Sequence, residues 1–218
     1  MIRMCCRVLV LAACLLVAGA TAAENRFSRP GYYIAVSGAY GIADIDASPL
    51  GQFQGLYTAP FASSGSGGLN LRVGKRFESW LAFEIEYEWM DRFSINQAGG
   101  GEAASFRPNV LTMNGKFVLP IPRIQPYLLA GIGLVNYDFN SIPLQNVLAF
   151  GSNYTGFAVR AGGGLDAYIT DHIVVFFEGT YLLNTDQPTI PGANSTNRIK
   201  VVNQLNYASM AVGLAYRF

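Results

Sequence analysis

The chain has 218 residues, with Lys+Arg 15 against Asp+Glu 14 and a formal net charge of +1. That is one domain's worth of sequence, and the even balance leaves no basic footprint for nucleic acid. The cysteines, Cys5, Cys6 and Cys14, all sit near the N-terminus, so the body of the chain offers no disulfide or thiol chemistry.

Met1 to Ala23 reads as a cleaved secretory signal. Arg3 and Arg7 precede an apolar run from Val8 to Ala18, and Ala20-Thr21-Ala22 or Thr21-Ala22-Ala23 offers a small-residue cleavage site. The run is short for a membrane anchor. Leu11-Ala12-Ala13-Cys14 resembles a lipoprotein box, but the apolar run continues past Cys14. Residues 24–218 are then expected to form a single β domain.

From Pro30-Gly31 onward the pattern has a period of two, the signature of strands with two unlike faces. Tyr32–Gly41 is the first strand expected, and Gly67–Phe77 is the second, where Leu69, Leu71, Val73 and Phe77 alternate with Asn70, Arg72, Gly74 and Arg76. The third, Trp80–Trp89, is the plainest. Leu81, Phe83, Ile85, Tyr87 and Trp89 occupy one face, with Ala82, Glu84, Glu86 and Glu88 on the other. The fourth runs over Asn109–Leu119. The fifth is Pro126–Phe139, with Gly131 and Gly133 placed inward. Tyr154–Ile169 and His172–Asn184 follow, and the last strand is Tyr207–Phe218, whose apolar face is Met210, Val212, Leu214, Tyr216 and Phe218.

The connections alternate. Ile42–Ser66, Asp91–Phe106, Asn140–Asn153 and Thr185–Asn203 read as long loops; Glu78-Ser79, Pro120-Ile121-Pro122 and Thr170-Asp171 read as short turns. A soluble sandwich has no reason to alternate in this way. An all-β, eight-stranded antiparallel up-and-down transmembrane β-barrel does, with short periplasmic turns and long extracellular loops. In that fold the apolar faces meet lipid and the polar faces fill the lumen. The aromatics divide to match. Tyr32, Phe77, Trp80, Phe117, Tyr216 and Phe218 fall at the short-turn end; Tyr40, Trp89, Phe93, Tyr137, Phe139, Tyr154 and Tyr181 fall at the long-loop end, as two interfacial belts require.

The polar faces carry Arg72, Arg76, Glu84, Glu86, Glu88, Lys116, Arg160, Asp166, Glu178 and Arg217, five of each sign. An eight-stranded barrel is filled by its side chains, so these charges are expected to pair as a lumen network. If the second hairpin has a three-residue connection, Arg72 lies opposite Glu86 and Asn70 opposite Glu88. The alternative use of the same charges is a gated ion path.

No catalytic residue stands out. The sole histidine, His172, follows a short turn, and the loop acids Asp91, Asp138 and Asp186 are not paired by spacing. No metal or cofactor motif is visible.

Several segments carry a family resemblance: Pro30-Gly31-Tyr32-Tyr33, Pro126-Tyr127-Leu128-Leu129-Ala130-Gly131-Ile132-Gly133-Leu134, Ala161-Gly162-Gly163-Gly164-Leu165-Asp166 and Val212-Gly213-Leu214-Ala215-Tyr216-Arg217-Phe218. Over Gly31–Phe218 the chain resembles Gram-negative outer-membrane β-barrels of the porin and outer membrane protein A transmembrane-domain type. The resemblance implies an integral outer-membrane protein reached by signal-peptide export, in contact with lipid and lipopolysaccharide. It implies that Tyr216 and Phe218 form a signal for the barrel assembly machinery. It does not fix the activity, since such barrels include adhesins, surface antigens and small channels. The reading taken forward is a monomeric, non-enzymatic barrel that supports the membrane and displays loops for adhesion or host contact. A small-solute or ion pore and a lipid-modifying enzyme are the alternatives.

Overall fold

A computed structural model describes residues 26–46, 62–63, 65–96, 102–141, 151–185, 189–191, 198–200 and 204–218. The segment expected to be a leader, Met1–Ala23, lies outside the described residues. Eight long strands make the body: β1 Gly31–Asp46, β2 Gly65–Glu78, β3 Leu81–Met90, β4 Glu102–Val118, β5 Ile124–Ser141, β6 Gly151–Tyr168, β7 Ile173–Asn184 and β8 Gln204–Arg217. Each pairs antiparallel with its neighbours in sequence. β8 pairs with β1, from Tyr33 opposite Arg217 to Asp46 opposite Gln204, which closes the barrel.

The stagger of the closure fixes its shape. Followed around the wall, the row of partners that starts at Leu165 returns to β6 at Thr155, ten positions along the strand. With eight strands, that shear tilts them by roughly 40° and gives a wall radius of about 8 Å, narrow enough for side chains to fill.

The wall is inside-out relative to a soluble protein. Leu128 and Ile132 are 62% and 56% exposed, whereas Glu86 and Arg160 are 0% exposed. On β5 the outward positions from Ile124 to Leu134 are free of charge, and the next outward residue is Asn136. At about 3.3 Å per residue and the tilt above, this gives an apolar band about 25 Å tall, the height of an outer-membrane hydrocarbon layer. Tyr32, Phe77, Trp80, Phe117, Tyr216 and Phe218 are all exposed at its short-turn edge.

Above the band the polarity reverses. On β4, Leu111, Met113 and Phe117 point out while Thr112, Asn114 and Lys116 point in. Toward the long-loop end of the same strand, Val110 and Phe106 are buried inside, and the outward Asn109 accepts a hydrogen bond from the Tyr87 hydroxyl at 3.1 Å. Three sequence expectations change here. The stretch Asp91–Phe106 is not simply loop: Phe93–Asn96 is a strand paired to β4, with Phe93 opposite Phe106. Strands also reach beyond their expected ends at Ile42–Asp46, Asn140–Ser141 and Gly151–Asn153. The upper aromatics do not all form a lipid-facing belt. Tyr40 is outward and exposed, but Phe93 and Tyr137 are fully buried in the lumen, and Tyr154 stacks on Tyr137. The side chain of Phe139 lies outside the described residues.

Candidate functional site: a lumen filled in three tiers

The sequence places ten charged residues on inward positions. All ten are buried, and the strand tilt arranges them in tiers.

The middle tier lies at the level of the membrane centre. Arg72 of β2 reaches across to Glu178 of β7, donating from both Nη atoms at 2.7 Å. The same guanidinium lies 3.2 Å from Glu86 and 4.0 Å from Glu84. Arg160 lies 2.6 Å from Glu86 and 3.0 Å from Glu88. Neutral groups complete the shells. Asn70 and Asn114 donate to Glu86 at 3.0 Å each. Tyr33 donates to Glu84 at 2.8 Å, Tyr127 to Glu178 at 2.8 Å, and Tyr207 to Glu88. In a space with little water each carboxylate is therefore met by both a cation and a hydroxyl or amide, which offsets the cost of its burial.

The register behind this tier comes from the β2–β3 hairpin. Arg72 is opposite Glu86 and Asn70 opposite Glu88. The tight turn expected at Glu78-Ser79 lies one residue on, at Ser79-Trp80, and a bulge between Arg76 and Glu78 supplies the extra residue that gives the partners of a three-residue connection.

The lower tier is cationic. Lys116 pairs with Asp166 at 2.9 Å and sits over the Tyr127 ring. Below it, Arg76 and Arg217 have no carboxylate within ion-pair distance among the described residues. Arg76 donates to Gln125 at 2.8 Å, to the Tyr168 hydroxyl at 3.1 Å and to the Ser79 carbonyl. Arg217 donates to the carbonyls of Phe27 at 2.7 Å and Arg29. The Phe27 carbonyl belongs to a single 3-10 turn, Arg26–Ser28, which enters the barrel mouth just before β1, and Arg29 follows it directly. Between this turn and the middle tier is a cavity of about 40 Å³, whose lining includes Arg76, Lys116, Glu84 and Arg217.

The upper tier is apolar. Met90, Phe93, Phe106, Val110, Val135, Tyr137, Leu182, Leu205 and Tyr207 form one buried cluster. Phe93 stacks on Phe106 at 5.2 Å between ring centroids, and the Tyr137 hydroxyl donates to the Leu205 carbonyl at 2.9 Å. The sequence reading missed this cap, the Arg26–Ser28 turn and the tyrosines that serve the glutamates. The signal for the cap was the reversal of alternation between Leu111 and Val110.

The remaining residues of interest lie elsewhere. His172 is at the short-turn end, its Nδ1 2.8 Å from the Arg217 carbonyl and its ring stacked on Tyr216. Asp91 pairs with Arg107 at 3.4 Å on the outer face. Asp186 lies outside the described residues. Among the described residues no group of three or more His, Cys, Asp or Glu is placed to hold a metal ion. Tyr216 and Phe218 face outward at the barrel base, with the Phe218 amide donating to the Tyr32 carbonyl at 3.0 Å.

The model of the outer membrane protein beta-barrel domain matches residues 9–218. The chain belongs to that family. No curated protein matches it. Solved barrels of the same fold share little sequence with this family member. Neisserial surface protein A is 13% identical with a TM-score of 0.56, covering 87% of this chain and 99% of its own. The outer membrane protein OprG of Pseudomonas aeruginosa is 14% identical with a TM-score of 0.58, covering 89% and 99%. Ail, the attachment invasion locus protein of Yersinia pestis, solved with the heparin analogue sucrose octasulfate, is 15% identical with a TM-score of 0.52, covering 87% and 99%. At these identities the likeness is one of fold: an eight-stranded outer-membrane barrel.

Proposed function

We propose that this protein is a non-conducting, non-catalytic barrel that stabilises the outer membrane and holds its long connections outward for adhesion or host contact. The observation that carries the reading is the filled lumen. An apolar cap, an ion-pair tier and an inserted turn close the same axis at three heights. What differs from one closed barrel to the next is then its external surface, and function concentrates in loops on rigid scaffolds.

The composition of those loops narrows the partner. Segments 47–61 and 142–150 contain no charged residue and include Leu50, Phe53, Leu56, Tyr57, Leu144, Val147, Leu148 and Phe150. Ail was solved with a sulfated, polyanionic ligand. These two cation-free segments fit a neutral or apolar surface better than a sulfated sugar, whereas the Thr185–Asn203 connection carries Arg198 and Lys200. The proposal includes export by the Met1–Ala23 leader, recognition of Tyr216 and Phe218 by the assembly machinery, contact with lipopolysaccharide, and a monomeric state.

Two measurements test the reading together. The purified barrel in a planar bilayer is expected to be electrically silent. Cells carrying it are expected to bind host surfaces more than cells carrying a version with segment 47–61 replaced by a short Gly-Ser linker. Discrete conductance steps would replace this reading with the pore, and equal binding by both strains would remove the adhesive role.

A further inference from the structure

We infer that the lower end of the lumen binds one small inorganic anion of chloride size, held between the Arg76 and Arg217 guanidiniums. The inference needs the closed barrel but not the adhesive role.

The inward charges balance over the whole lumen, five of each sign, but they do not balance locally. Asp166 is the acid of the lower tier, and Lys116 takes both its oxygens, at 2.9 and 3.1 Å. Arg76 and Arg217, 4% and 7% exposed, have no carboxylate of their own among the described residues. They also stand side by side. Both donate to the Phe27 carbonyl, at 3.5 and 2.7 Å. Both meet Tyr168: Arg76 donates to its hydroxyl at 3.1 Å, and the Arg217 guanidinium lies 5.3 Å from its ring centre. Carbonyls and a phenol satisfy N–H groups without cancelling charge. The two buried cations therefore repel each other, and each keeps the cost of leaving water.

A counter-charge has a place beside them. Arg76, Arg217, Lys116 and Tyr168 all line the cavity of about 40 Å³. That is room for about three water-sized bodies, enough for a halide with water next to it and too little for an organic acid. The Tyr168 hydroxyl accepts from Arg76, so its own hydrogen can be donated to an anion. Two carboxylates, Glu84 and Asp166, share the lining. Glu84 is met by Tyr33, Asn114 and Arg72, and Asp166 by Lys116. Neither serves the arginines, and both bias an anion toward the arginine end.

Bromide is the probe. Protein purified from outer membranes is unfolded in urea and refolded into detergent micelles in sodium bromide or, at equal ionic strength, in sodium gluconate. Heat-dependent gel mobility shows that the barrel has closed in each salt. The thermal midpoint in bromide minus that in gluconate removes general salt effects when it is compared between variants. At about 200 mM anion this difference is expected to be about 4 °C more favourable to bromide in the parent than in Arg217→Gln. Tyr168→Phe is expected to fall between them, and it serves if Arg217→Gln does not assemble. Lys75→Gln, on the outer wall over Tyr32, is expected to match the parent. Crystals grown in bromide are expected to show an anomalous peak within hydrogen-bonding reach of Arg76, Arg217 and Tyr168. A salt difference that is the same in the parent and in the lumen variants would overturn the inference. So would bromide peaks confined to the outer surface.

Discussion

Arg72 and Glu178 stand on strands separated by two others, yet their side chains meet across the lumen in a two-point contact, with both Nη–Oε distances 2.7 Å. The pair acts as a crossbar of the barrel. Arg72 is also the shared cation of Glu84 and Glu86, so its removal leaves three buried carboxylates short of positive charge. Arg72→Met is expected to cost about 3–5 kcal/mol of stability, measured by urea unfolding in detergent micelles. Adding Glu178→Gln to it is expected to restore about 1–2 kcal/mol. Additive losses would mean that the two residues do not act as a pair.

The wall has a crowded interior and a permissive exterior. A Cβ on Gly133 would run into the Leu111 carbonyl and the Thr112 backbone of β4, whereas one on Gly179 meets nothing within 4 Å. Gly133→Val should therefore prevent β4 and β5 from pairing, and the folded band should vanish from unheated gels. Gly179→Val should fold as the parent does.

Position relative to the lipid sets the cost of a charge. Ile85 is an outward residue near mid-band and Asn136 lies just above the band. Ile85→Arg is expected to destabilise the protein by about 2–4 kcal/mol in vesicles. Asn136→Arg is expected to change stability by less than about 1 kcal/mol, and the comparison is made by folding titrations into the same vesicles.

The apolar cap is worth more to stability than to closure. Phe106→Ala removes a buried ring stacked on Phe93, at an expected cost of about 3–5 kcal/mol. The planar bilayer should remain silent, because the ion-pair tier lies beneath. A conducting Phe106→Ala barrel would show that the cap is the sole barrier.

Much of this architecture was legible in the chain because a period of two sorts residues without any knowledge of contacts. Glu84, Glu86 and Glu88 alternate with Phe83, Ile85 and Tyr87, and that pattern alone turns the carboxylates inward. The Arg72–Glu86 partnership was the one a three-residue connection would give, and a two-residue turn with a bulge beside it gives the same register. What escaped was any feature set by tilt. Periodicity says which face a residue takes and not which distant strand it meets, so the reach of Arg72 to Glu178 and of Tyr207 to Glu88 was hidden. Phe93 and Tyr137 were assigned to a lipid-facing belt because aromatics near a strand end usually anchor there. Beyond the hydrocarbon the favourable face for a ring is the inner one, as in any water-soluble fold.

That change of face has a consequence for how the protein sits in its membrane. Between Leu111 and Val110 the chain passes from hydrocarbon rules to aqueous rules within a single strand. The switch acts as a waterline drawn into the sequence. The barrel's draught is fixed by its own side chains, and a bilayer of different thickness must bend to meet that line, since sliding the barrel would drown apolar wall on one side or beach Asn109 and Asn136 in oil on the other.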